Sequence, residues 1–189
     1  MTSNANFNGL VVASFESRRA EEMTRLIERH GGRAIVAPSM REVSLDDNAQ
    51  AVDFAQRVIA GQIDVAIFMT GVGFGRLMTA VEKQVDRESF LASLSAVTTL
   101  ARGPKTVAAM REVGLAPTHK VPEPNTWREI LALLDEEIPV AGRTAAVLEY
   151  GVSNPNLVAG LEARGAKVQC VKVYNWELPL DTAPLADSV

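Results

Sequence analysis

Short apolar runs alternate along this chain with longer stretches in which apolar residues recur every three or four positions, the first pattern that of buried strands and the second that of amphipathic helices. The run Gly9–Ser14 is rich in β-branched residues and reads as a buried parallel strand. Ala20, Met23, Leu26 and Ile27 follow at helical spacing, with Ser17 as the N-cap and Gly31 and Gly32 as the stop. Ala34–Ala37 is a second strand, ended by Pro38. The same grammar predicts helix 48–60, strand 64–69, helix 74–84, strand 96–101, helix 104–113, strand 118–121, helix 126–137, strand 143–149, helix 155–164 and strand 167–174. Such alternation demands parallel neighbours joined by right-handed crossovers, so the fold class is α/β with helices on both faces of twisted, doubly wound sheets.

Two segments break the rhythm. Ser39–Asp47 reads as a further extended piece, with Met40, Val43 and Leu45 among polar residues, and suits a crossing linker. Asn175–Pro184 has the composition of a second linker, and the residues after Pro184 resemble the first turn of a helix. No internal repeat or low-complexity tract is visible.

Bulk composition narrows the function classes. The 189 residues are 47% hydrophobic and 22% charged, a globular balance that requires a core and argues against disorder. A net charge of −4 excludes the basic stripe of a nucleic-acid binder. No apolar run is long enough to span a membrane, and the polar stretch Met1–Asn8 lacks the features of a secretory leader, so a cytoplasmic location is expected. Cys170, the single cysteine, lies in the apolar run Val168–Tyr174 and reads as a small packing residue. With His30 and His119 the only histidines, no metal site and no cofactor are expected.

Candidate chemistry concentrates at strand-to-helix junctions, where helix N-termini expose backbone N–H groups. Three are rich in Gly, Thr and Ser. At Phe68–Gly75, which contains Thr70 and Gly71, the glycine spacing departs from the dinucleotide fingerprint and no acidic residue follows to hold a ribose. A tight turn and a site for a different anion both remain, and the anion site is favoured. At Arg102–Thr106, Pro104 suits the first turn, Gly103 precedes it, and Lys105 and Thr106 present a charge and a hydroxyl. At Glu149–Pro155, Ser153 or Asn154 caps the helix that Pro155 begins, after the turn at Gly151. Ordinary capping explains each junction alone; three donor-rich loops on carboxyl ends of strands can also point into one cleft. No nucleophile elbow or Ser/His/Asp order is present. Tyr174, at a strand end, is either a hydrogen-bonding group for chemistry or a half-buried strand aromatic.

Taken in order, Val11–Arg18, Ala20–Leu26, Gly31–Pro38, Ile67–Gly71, Gly103–Thr106, Met110–Leu115, Leu161–Val168 and Val173–Tyr174 resemble the uroporphyrinogen-III synthase family. No one of these motifs is specific; their order and spacing are. The resemblance implies two doubly wound parallel-sheet α/β domains joined by two extended linkers, the first domain split in sequence and here incomplete. It places residues 1–38 in the split domain, 39–177 in an intact inserted domain, and 178–189 in a segment returning to the first. The returning half of the family pattern is absent, which fits a piece of a longer chain, a chain that pairs with another copy, or a remnant.

The substrate implied is the linear tetrapyrrole hydroxymethylbilane, with its many carboxylates, handed over from hydroxymethylbilane synthase. Loss of its terminal hydroxyl gives an azafulvene, attack at the substituted carbon of the last ring gives a spiro intermediate, and reopening and closure leave ring D inverted. The resemblance puts Tyr174 where a donor helps the hydroxyl leave, and suggests that Thr106, Thr70 and Ser153 contact acid arms beside the backbone of Gly71, Gly103, Lys105, Gly151 and Asn154. Phe15 and Glu16 depart from the family's run at that place, so contributions from the first domain are not expected. The alternatives are a non-catalytic or regulatory tetrapyrrole-binding relative, and a periplasmic-type small-molecule binder.

Overall fold

The structure, a computed structural model, describes residues 6–44, 48–149, 151 and 153–188. The end of the extended piece expected over 39–47, at 45–47, lies outside them, as do Tyr150 and Val152 in the third junction. By internal contacts the chain forms two units: residues up to Val43 with those from Trp176 onward, and Ser44–Asn175.

In chain order the elements of the first passage are β1 (Val11–Ser14), α1 (Ala20–Arg29), β2 (Arg33–Val36) and β3 (Arg41–Ser44). β1 and β2 form a two-stranded parallel sheet, Val11 opposite Arg33 and Ser14 opposite Val36. Ser17 does not cap α1. Its hydroxyl donates to the Met40 carbonyl, and the N-cap position is Arg19, whose side chain makes no capping bond. The Glu16 carboxylate instead accepts from the N–H groups of Arg18 and Arg19 at 3.0 and 3.2 Å, supplying the acceptor expected of Ser17.

The second unit holds α2 (Ala49–Ile59), β4 (Val65–Phe68), α3 (Gly71–Val81), α4 (Arg87–Ser95), β5 (Thr98–Ala101), α5 (Pro104–Glu112), β6 (His119–Lys120), α6 (Trp127–Glu137), β7 (Thr144–Glu149), α7 (Pro155–Ala163) and β8 (Lys167–Lys172). Its sheet has five parallel strands in the order β6-β5-β4-β7-β8. All four residues of β4 are buried, as a central strand covered on both faces requires. Strand parity sorts the core. Val65, Ile67, Ala145 and Val147 pack with Ile130, Leu131 and Leu134 of α6 and with Leu157 and Leu161 of α7. On the other parity Phe68 meets Phe74 of α3 edge-on, with ring centres 5.1 Å apart.

Local chemistry fixes these helices. Thr126 and Glu129 form a capping box at α6, the Glu129 carboxylate accepting from the Thr126 N–H at 2.8 Å. Asn48 caps α2 through the Ala51 N–H and also donates to the Lys172 carbonyl at 2.7 Å, tying that helix to β8. α4 is absent from the periodicity reading, because only Phe90 and Leu94 of its residues are buried. The expected strand 167–174 divides at Val173 into β8 and β9 (Tyr174–Glu177).

β9 pairs with β3 in a separate two-stranded sheet, and α8 (Ala183–Asp187) follows. Within the first unit the returning passage is held by polar contacts. Arg41 donates to the Glu177 carboxylate at 2.7 Å and to the Leu178 carbonyl at 3.2 Å, Arg18 pairs with Glu42, and the Arg18 guanidinium lies 5.0 Å from the centre of the Trp176 ring. Among the described residues no helix is long and apolar enough to cross a membrane.

Candidate functional site

The strand order β5-β4-β7-β8 aligns four chain segments on one edge of the sheet. Arg102–Gly103 leaves β5, Met69–Thr70 leaves β4, the segment holding Gly151 and Ser153 leaves β7, and Val173 leaves β8. Every strand is parallel, so all four lie at carboxyl ends. From β4 the chain winds one way to β5 and later returns on the other side as β7. The switch point, where open α/β sheets leave a crevice, therefore falls between Thr70 and Gly151. The three junctions singled out in the sequence are thus neighbours.

At the first junction Thr70 is the N-cap of α3, its hydroxyl oxygen accepting from the Gly73 N–H at 2.9 Å. The N–H groups of Gly71 and Val72, in the first turn, have no intrahelical acceptor, the arrangement that suits a helix start to an anion. Gly71 is a packing requirement. A Cβ there would stand 2.4 Å from the Lys105 carbonyl oxygen, so this glycine lets the starts of α3 and α5 touch and draws the first two junctions together.

At the second junction Gly103 is the N-cap of α5 with extended backbone, and a Cβ on it would meet nothing closer than 3.8 Å. Neither sterics nor conformation explains glycine there; an open approach to the helix start is compatible with both. Pro104 has no N–H, leaving that of Lys105 as a first-turn donor. The Lys105 side chain is exposed, whereas Thr106 is 1% exposed and packed into the core side of α5.

The third junction differs in kind. Asn154, not Ser153, caps α7, through the Leu157 N–H at 3.1 Å, and Pro155 contributes no donor, so Asn156 holds the remaining first-turn N–H. Gly151 has φ +83°, a left-handed conformation that favours glycine. Ser153 donates its hydroxyl to Glu149 Oε2 at 3.0 Å. Glu149 is 2% exposed, and its Oε1 is buried with no hydrogen-bond partner, at a cost of about 1–3 kcal/mol. One signal for this residue exists in the sequence: parity along β7 places Glu149 on the core face that Ala145 and Val147 share. Nearby, burial and then the Glu149 charge push the Cys170 thiol up to about 11.

The uroporphyrinogen-III synthase HemD family profile matches residues 21–188. The chain belongs to the uroporphyrinogen-III synthase family. It is 31% identical over 167 residues to the uncharacterized protein YjjA of Bacillus subtilis strain 168, covering 88% of this chain and 60% of that relative. Two crystal structures of uroporphyrinogen III synthase from the extremely thermophilic bacterium Thermus thermophilus share the fold. A mutant enzyme superposes with a TM-score of 0.71 at 26% identity, over 90% of this chain and 64% of its own. The wild-type enzyme superposes with a TM-score of 0.65 at 28% identity, over 90% and 63%. The chain thus spans less than two thirds of the length of these relatives.

In this family member Tyr174 begins β9 with its side chain 1% exposed, close in sequence to the carboxyl end of β8. The backbone amides of Gly71, Val72 and Lys105 are the first-turn donors that the neighbouring starts of α3 and α5 bring together. Such donors grip carboxylates through partial positive charge while the protein as a whole stays acidic.

Proposed function

We propose that this chain carries the tetrapyrrole-binding surface of a uroporphyrinogen-III synthase and, within the complete protein, cyclises hydroxymethylbilane to uroporphyrinogen III with inversion of ring D. The observation that carries the reading is the alignment of the Thr70, Gly103 and Gly151 junctions on one carboxyl edge of a parallel sheet. Backbone N–H groups there bind acid arms and hold a flexible chain folded for closure, which is most of what this reaction needs from a protein. Tyr174 supplies the proton on which the terminal hydroxyl departs as water. The azafulvene left behind is attacked by the substituted carbon of the last ring, and the spiro product reopens and recloses inverted. A substrate that reactive fits direct handover from hydroxymethylbilane synthase.

The test is conversion of hydroxymethylbilane followed by separation of the oxidised type I and type III isomers. Type III product is expected; type I alone, the isomer of spontaneous closure, would exclude catalysis. Tyr174→Phe is expected to slow type III formation by about tenfold or more with an unchanged circular dichroism spectrum, and an unchanged rate removes Tyr174 as the donor. A second reading, a tetrapyrrole-binding relative without catalysis, is favoured by the near-complete burial of Tyr174. It is distinguished by tight binding of uroporphyrin without type III product.

A further inference from the structure

Three strand-to-helix junctions lie side by side on the sheet edge, yet their strands end differently: β4 on Phe68, β5 on Ala101 and β7 on Glu149. A carboxylate is the group that a helix N-terminus attracts. At α7 the protein provides one of its own. Glu149 is 2% exposed, its Oε2 accepts from the Ser153 hydroxyl at 3.0 Å, and Ser153 directly precedes the N-cap of α7. Its Oε1 is equally buried without a hydrogen-bond partner, and on the β8 side the carboxylate faces the Cys170 thiol, whose proton it helps to hold. In register its neighbour on β8 is Lys172, whose N–H is taken by Gln50 at 3.0 Å.

We propose that Glu149 is a specificity-determining residue, an internal anion that closes the β7–α7 junction to carboxylates of a ligand and leaves those arms to the starts of α3 and α5. The inference rests on the reading above that the ligand is a polycarboxylate, and adds where its acid groups do not go. With Glu149 in place an arriving carboxylate meets like charge at a helix start already short of donors.

The experiment is an amide ¹H–¹⁵N titration of the 189-residue chain with benzenehexacarboxylate, a compact polyanion, on the wild type and on Glu149→Gln. Gln can still accept from Ser153 but carries no charge. In the wild type, shifts are expected at Gly71–Gly73 and Gly103–Lys105 and none at Ser153–Asn156. In Glu149→Gln, Ser153–Asn156 are expected to join the shifting set and the dissociation constant to fall by about tenfold. Wild-type shifts at Ser153–Asn156, an unmoved Ser153–Asn156 segment in a folded Glu149→Gln, or no binding by either protein would each overturn the proposal. Should the variant not fold, the wild-type titration alone decides by the same criterion. Turnover is not read, so failure of the isomerase assay above would sink catalysis without touching this result.

Discussion

The two units of this chain solve burial differently. In the second, a five-stranded parallel sheet is covered on both faces, and Phe54, Phe68, Phe74, Phe90, Leu77 and Leu100 are all at most 1% exposed. In the first, α1 on the two-stranded β1–β2 sheet leaves Leu10 at 65%, Val11 at 54% and Phe15 at 48% exposure. An open apolar hollow of about 700 Å³ lies along α1, lined by Val12, Phe15, Met23 and Leu26, and the hydroxyl of Ser14 is buried beside it without a partner. A strand-helix-strand encloses too little surface to repay its ordering entropy, whereas a doubly covered sheet does. Stability of this chain therefore resides in the second unit, where the candidate site also lies.

The sharpest way to break that contrast is paired truncation. Phe74→Ala removes a fully buried ring stacked edge-on against Phe68 and is expected to cost about 3–5 kcal/mol of unfolding free energy. Leu10→Ala, at 65% exposure, is expected to change it by less than about 0.5 kcal/mol. Denaturant melts followed by circular dichroism measure both, and equal losses would refute the assignment of stability to the second unit. Next comes Gly71→Ala. Its Cβ would approach the Lys105 carbonyl to 2.4 Å, and because that neighbour is backbone the helix starts must part, costing about 1–3 kcal/mol. The same variant should weaken binding of polycarboxylates, read by isothermal titration, since two junctions lose their spacing together.

Cys170, the single cysteine, reports opening of the second unit alone. With its thiol pushed up to about 11 by burial and the Glu149 charge, alkylation by iodoacetamide at pH 8.5 is expected to run at least about tenfold slower than for free cysteine. Glu149→Gln should accelerate it, and reaction at the free-cysteine rate would mean that the β7–β8 edge opens readily.

The smallest effect is acid lability of the second unit. Asp86, Glu129 and Asp135 are held below their usual values, chiefly by hydrogen bonds from Ser89, Thr126 and Arg164 respectively. A carboxylate whose folded value is depressed contributes stability that is complete above its unfolded value, 4.5 for Glu and 3.8 for Asp, and fades as pH falls through the folded one. Thermal melts should thus begin to fall below about pH 4.5, and Arg164→Gln should flatten the part of that fall owed to Asp135. A fall of the same slope in the variant would remove the Arg164 pair from the account.

Much of this architecture is legible in the sequence because strands such as β1, β4 and β7 are short apolar runs and most helices carry an apolar stripe. The exceptions are physical. α4 buries only Phe90 and Leu94, too little for a periodic signal, although Asp86 caps it through the Ser89 N–H. α3 begins at Gly71, ahead of the expected start at 74, since a cap at Thr70 and close contact with α5 outweigh the low helix propensity of Gly71, Gly73 and Gly75. The junctions themselves are readable from Gly, Thr and Pro. That they stand in one row depends on strand order, which no local pattern encodes. Glu149 is visible in the sequence as the last residue of an expected strand, where parity points it to the core face; that the core there closes over a carboxylate is not written in any local pattern.

If amides on this sheet edge grip acid groups, affinity must follow how many of them a ligand offers. Equilibrium binding of uroporphyrin and of coproporphyrin, which has the same macrocycle with half as many carboxylates, tests that directly. Uroporphyrin is expected to bind the 189-residue chain about tenfold or more tightly. Equal affinity for the two would mean that the macrocycle, not its acid arms, is what the protein holds, and would contradict the account.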